Sequence, residues 1–161
     1  GKVVPEAYSY LAGELANAGM KVTIIKPLGN LAILQPNLAD KYLEEDKIDV
    51  VIGHSLGGVV ASMVTHGNPQ VDYLILLGSY NIKEIENAKT LIISAEFDIQ
   101  MNWNEYDKRT TTIADLTEEM IEDGNHAYFG FYGEQRGDGQ ANMTNLEQQE
   151  IVLQLIIDYL N

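Results

Sequence analysis

Cysteine is absent from this 161-residue chain. That excludes a disulfide framework, a thiolate zinc site and a cysteine nucleophile. Basic residues are scarce: 10 Lys and Arg stand against 24 Asp and Glu, for a formal net charge of −14. Such a surface repels phosphate backbones and anionic membranes, so neither nucleic acid nor membrane contact is expected. No apolar run reaches the ~18 residues of a membrane span. Gly1-Lys2-Val3-Val4-Pro5 does not open like a signal peptide. Internal repeats and low-complexity linkers are also lacking. The length suits one domain with a substantial core and is too short for two, so residues 1–161 are read as a single domain.

What the chain does contain is Gly53-His54-Ser55-Leu56-Gly57-Gly58, placed after the apolar run Ile48, Val50, Val51, Ile52 and before Val59, Val60, Ala61, Met63, Val64. A strand–turn–helix context makes G-x-S-x-G a nucleophile elbow, with the serine Oγ exposed on a strained turn. Gly53 and Gly57 are expected to let the helix start close to the strand. Ser55 would stand at a helix N-terminus, where unpaired N–H groups favour negative charge.

Around this motif, strand and helix signals alternate. Pro5 to Ala18 is predicted to be helical, with Pro5 in the first turn and Gly19 beyond its end. Strands are predicted at Val22–Ile25, Asp49–Ile52, Tyr73–Leu77, Leu91–Ser94 and Glu118–Ile121, the last at an edge. Further helices are predicted at Leu38–Glu45, Leu56–His66, Trp103–Ile113 and after the capping box Thr144-Asn145-Leu146-Glu147. The fold class is therefore α/β, a doubly wound, mostly parallel sheet. Ligands bind such sheets beyond the C-terminal strand ends, where Ser55 falls.

A serine nucleophile needs a base, and the base needs an orienting acid. His54 adjoins Ser55 and is read as a packing residue. His66 ends the following helix, where an imidazole suits the dipole. His126, in the loop Asp123-Gly124-Asn125-His126 after the last predicted strand, is the candidate base. Asp98, in the loop beyond Leu91–Ser94, is the candidate acid, with Glu96 of the same loop as the alternative. The aromatic, glycine-rich stretch after His126 offers Tyr128 and Phe129 as substrate-pocket candidates, or as anchors of a loop. Arg136 and Asp138 could pair with each other, which would be a structural role. No metal site and no cofactor are expected.

These residues resemble the α/β-hydrolase superfamily, in particular small, lidless, dienelactone-hydrolase-like bacterial serine hydrolases. The resemblance rests on Gly1-Lys2-Val3, the Gly53–Gly58 motif, Asp98 after its strand, and Gly124-Asn125-His126-Ala127-Tyr128-Phe129-Gly130. Tyr132-Gly133 and Gly137-Asp138-Gly139 follow it in the same pattern. It implies Ser55 as nucleophile, Asp98 as acid and His126 as base, with an oxyanion hole from the Leu56 N–H and an N–H near Gly1 or Lys2. It also implies a small-molecule acyl substrate. Dienelactone hydrolases proper carry a cysteine nucleophile, so lactone specificity does not follow from the likeness.

The resemblance implies hydrolysis of a carboxylic ester through an acyl-enzyme. Thioesterases and acyltransferases use the same machinery, and a non-catalytic binding domain could share the fold. In the family, the segment like Gly1-Lys2-Val3 follows a central strand. The chain is therefore expected to begin inside a longer protein, with a vacancy between Val22–Ile25 and Asp49–Ile52. That expectation leaves localisation open, cytoplasmic or extracytoplasmic in a bacterium.

Overall fold

The continuously apolar runs form the middle of a parallel sheet. A computed structural model of the protein describes residues 3–46 and 48–161. Four strands, β1 (Val50–His54), β2 (Tyr73–Leu77), β3 (Lys89–Ala95) and β4 (Leu116–Ile121), pair in that order. Every pairing is parallel, with Ile52 opposite Ile75 and Ile75 opposite Leu91. Five α-helices accompany the described strands: α1 (Ser9–Asn17), α2 (Asp40–Asp46), α3 (Leu56–Gly67), α4 (Trp103–Thr110) and α5 (Asn145–Leu160).

Side chains alternate across a strand, so each strand feeds two cores. Ile75, Leu77, Leu91 and Ile93 point to one face, against Leu11 and Leu15 of α1 and Val152 and Ile156 of α5. Leu74, Leu76 and Ile92 point to the other, against Ala61 of α3 and Tyr106 of α4. Burial on both faces is why these strands read as unbroken apolar runs rather than as alternating ones. The result is the doubly wound α/β sheet expected from the sequence.

Helix boundaries follow local chemistry. The helix predicted from Pro5 divides into a 3-10 turn, Pro5–Tyr8, and α1, with Gly19 beyond it at φ 96°. At α5 the capping box forms: Glu147 N–H donates to Thr144 Oγ1 at 3.2 Å, and Thr144 N–H to Glu147 Oε2 at 2.7 Å. This fixes the start of the longest described helix, which matters below because α5 holds the histidine loop.

One predicted strand is not formed. Val22–Ile25 pairs with no described strand, and Val22 and Ile24 stay exposed beside a cavity bordered by Val50 and Ile52 of β1. A β-branched run becomes a strand only where a neighbouring ladder accepts its N–H and C=O groups. Here β1 pairs with β2 on one side, and its other edge meets no strand among the described residues.

Candidate active site

Ser55 joins β1 directly to α3 with φ 53° and ψ −125°, a left-handed backbone that a non-glycine residue adopts at a cost. Two contacts hold it there. Ser55 N–H donates to the carbonyl of Leu77 at 3.0 Å, and the Ser79 hydroxyl donates to the Ser55 carbonyl at 2.7 Å. Ser79 had no signal in the sequence beyond lying just past a strand end.

The glycines that permit the turn are not quite those expected. A Cβ on Gly53 would lie 2.5 Å from the Gly57 carbonyl oxygen, and one on Gly58 would lie 2.5 Å from Ser79 Oγ. A Cβ on Gly57 would meet nothing within 4 Å. Close packing of α3 on β1 therefore depends on Gly53 and Gly58, not Gly57. Gly53→Ala is expected to cost about 1–3 kcal/mol or more by overpacking. Gly57→Ala should be neutral, or stabilising by up to about 1 kcal/mol through helix propensity. Thermal denaturation of the two variants tests this, and equal losses would contradict it.

His126 and Asp98 meet deep in the fold, 3% and 1% exposed. Asp98 Oδ2 lies 2.6 Å from His126 Nδ1. The other carboxylate oxygen, Oδ1, accepts from the N–H groups of Gln100 and Met101, each at 2.9 Å. Those bonds fix the carboxylate's rotation before it touches the ring. The alternative acid is elsewhere: Glu96 Oε2 accepts from the Asp123 N–H at 2.9 Å and serves the turn leading to His126. Gly78 makes room for the pair, since a Cβ there would sit 3.0 Å from His126 Nδ1 and 3.1 Å from Asp98 Oδ2.

The loop around His126 is held by buried amides that sequence reasoning passed over. Gln148 of α5 accepts from the Asn125 N–H at 3.0 Å and donates to the Asn125 carbonyl at 2.9 Å. Asn125 in turn donates to the Gly139 carbonyl and accepts from the Tyr128 N–H. Gln148 and Gln149 are fully buried on an amphipathic helix, where apolar residues would be the default. Two adjacent glutamines facing inward were the available signal. Asp138 takes up backbone partners rather than the possible pairing with Arg136. Its Oδ2 accepts from the Ala127 N–H and its Oδ1 from the Gly139 N–H, so it closes the same loop.

Two pocket expectations need correction. Phe129 is buried in the core with Leu77, Ile93 and Val152, and neither it nor Tyr128 borders the cavity at Ser55. The short 3-10 turn Ala127–Phe129 directs the phenyl ring inward. Tyr132 takes the wall position instead. A cavity of about 870 Å³ is bordered by Tyr8, Ile52, His54, Ser55, Leu56, His126 and Tyr132. Ser55 and His126 thus open onto one space, although no hydrogen bond joins Ser55 Oγ to His126. Leu56 is the first residue of α3, so its N–H has no intrahelical acceptor and stands beside Ser55. Lys2, the other oxyanion candidate, lies outside the described residues. Among the described residues no group of three or more His, Asp or Glu side chains is arranged to hold a metal ion.

The remaining histidines differ sharply. His66 Nδ1 lies 2.8 Å from the Glu84 carbonyl oxygen at the end of α3, a structural contact. His54 is buried, and burial, reinforced by the neighbouring His126, holds its pKa well below the usual 6.5. The unfolded chain takes up a proton near pH 6.5 that the folded ring refuses. Stability from this group is therefore complete above about pH 6.5 and is lost as pH falls below it. The melting temperature should drop between about pH 6.5 and 5, and His54→Asn should flatten that drop. An identical slope in both proteins would contradict it.

With this geometry in place, comparison with known proteins identifies relatives. Residues 1–150 match the model of the alpha/beta hydrolase family. Among solved structures, a predicted CIB-like hydrolase from Thermoplasma acidophilum superposes with a TM-score of 0.54 at 19% identity. That match covers 75% of this chain and 57% of that one, so the chain spans little over half of the Thermoplasma protein. An alpha/beta hydrolase enzyme from the metagenome of Mar Chica lagoon sediments, Morocco, gives 0.57 at 17% identity, covering 77% and 67%. At these identities the likeness is one of fold. Comparison with curated proteins gave no match.

Proposed function

The chain belongs to the alpha/beta hydrolase family, and from that premise we propose that it cleaves carboxylic esters through a covalent acyl-enzyme on Ser55. The observation that carries this reading is the shared cavity: a serine in strained left-handed backbone and a carboxylate-bound imidazole border the same space. Strain at a strand–helix turn is the usual setting of an exposed nucleophile.

Each group then has one task. Asp98 orients His126 and stabilises the imidazolium that forms. His126 Nε2 removes the Ser55 Oγ proton as Oγ attacks the ester carbonyl, and the tetrahedral oxyanion receives the Leu56 N–H. The resemblance to the family implies the second oxyanion N–H near Gly1 or Lys2. Collapse expels the alcohol with the proton from His126. Water, deprotonated by His126, then releases the acid and restores Ser55. The chain's acidic surface favours neutral or cationic substrates over anionic ones.

Thioester hydrolysis and acyl transfer would use the same groups, and they differ only in the leaving group or the acceptor. A second reading, a non-catalytic binding domain, is favoured by the missing hydrogen bond between Ser55 Oγ and His126. Catalytic hydrogen bonds are often long without substrate and tighten in the complex. Stopped-flow hydrolysis of p-nitrophenyl esters and matched thioesters decides among these. The hydrolase reading expects saturable turnover, with a burst of one nitrophenolate per protein where deacylation is slow. No turnover of any acyl compound would favour the binding domain.

A further inference from the structure

Resting on the hydrolase reading, we propose that Tyr8 and His54 form a positioning unit that sets the orientation of the His126 ring. His54 occupies the position before the nucleophile, but its side chain serves the base. Its ring centroid lies 4.7 Å from that of His126, with the planes tilted by 45°. Phe129 and Tyr132 enclose it further, at 5.6 Å and 6.2 Å. On its far side, Tyr8 Oη lies 2.9 Å from His54 Nδ1. His126 is thus gripped twice: Asp98 holds Nδ1, and the tilted His54 ring packs against its ring.

The tautomer of His54 follows from its neighbours. A neutral imidazole has one N–H and one lone pair. Nε2 is buried without a hydrogen-bond partner, yet the backbone of His126 is near enough to favour a proton on the ring. The Tyr8 hydroxyl at Nδ1 can donate or accept, and with the His126 backbone drawing the ring proton to Nε2 it donates to Nδ1. Burial raises the Tyr8 pKa to about 12, so the phenol remains a donor throughout the working range. Burial likewise keeps His54 uncharged, so it adds no positive charge beside an imidazolium forming on His126.

A core residue chosen for packing alone would not bring two ring nitrogens into the interior, because each costs stability wherever its hydrogen bond is not well made. A phenyl or leucine side chain would fill the space without that cost. Tyr8, in the 3-10 turn before α1, therefore connects the N-terminal segment to the base at the opposite end of the chain.

Tyr8→Phe removes only the hydroxyl and tests the proposal in the folded enzyme. Expected are a roughly tenfold loss of kcat, a KM within about twofold of the parent and a melting temperature lower by a few degrees, because His54 Nδ1 loses its buried partner. His54→Asn keeps an acceptor for Tyr8 at Oδ1 but deletes the ring against His126, and should lose at least as much kcat. The second readout needs no turnover: the far-downfield proton NMR signal of His126 Nδ1–H, bonded to Asp98, should shift or broaden in Tyr8→Phe. An unchanged kcat with an unchanged signal in Tyr8→Phe overturns the proposal. If the parent hydrolyses nothing, the hydrolase reading fails. The signal alone then decides whether the pair positions the ring.

Discussion

Ser55→Ala is expected to lower ester turnover by about a thousandfold or more while leaving the fold intact. The size of the loss follows from the chemistry. Without Oγ no acyl-enzyme forms, and water must attack the ester directly, helped only by binding and by the oxyanion donor. The fold should survive because alanine keeps the Cβ and removes one hydroxyl, and the backbone bonds at this turn involve Ser55 N–H and C=O. Steady-state kinetics with circular dichroism on the same preparation checks both halves. A folded Ser55→Ala protein with activity near that of the parent would remove Ser55 from the mechanism.

Asp98→Asn should be nearly as damaging, by about 10³–10⁴-fold in kcat, through the tautomer of the base. The asparagine can present an N–H to His126 Nδ1, which then accepts and leaves the proton on Nε2. That nitrogen can no longer take the Ser55 proton. The Gln100 and Met101 N–H groups would steer the amide toward this arrangement, since they prefer to donate to the amide oxygen. Glu96→Gln provides the contrast. Glutamine keeps an oxygen for the Asp123 N–H, so kcat should stay within a fewfold of the parent. The comparison is a direct kinetic one, and a reversed order of damage would move the acid's role to Glu96.

Features set by local chemistry were legible in the sequence. The strand–Ser55–helix turn, the capping box at Thr144 and the apolar runs Tyr73–Leu77 and Leu91–Ser94 each depend on a few consecutive residues. Asp98 and His126 were legible at one remove, since each occupies a loop following a strand and parallel strands deliver such loops to one end of the sheet. What escaped depends on partners distant in the chain. Val22–Ile25 has strand composition, but its conformation is decided by whether a ladder lies alongside. Phe129 was open between pocket wall and loop anchor, and the 3-10 turn that aims it at Leu77 and Ile93 makes it the anchor. Gly58 rather than Gly57 makes the close approach, because Ser79 arrives from the next strand's end. Gln148 carried no reading in the sequence, and only the tertiary fold shows that it faces the backbone of Asn125.

The most direct test of the central claim is reaction of the protein with a fluorophosphonate probe, followed by peptide mapping by mass spectrometry. The probe phosphonylates a serine only where a base activates it and N–H groups receive the developing oxyanion. The account predicts stoichiometric labelling of the peptide containing Gly53 to Gly58, with the adduct on Ser55, and its loss in His126→Ala. Labelling at Ser79 or Ser94, or labelling of Ser55 that persists unchanged in His126→Ala, would contradict it.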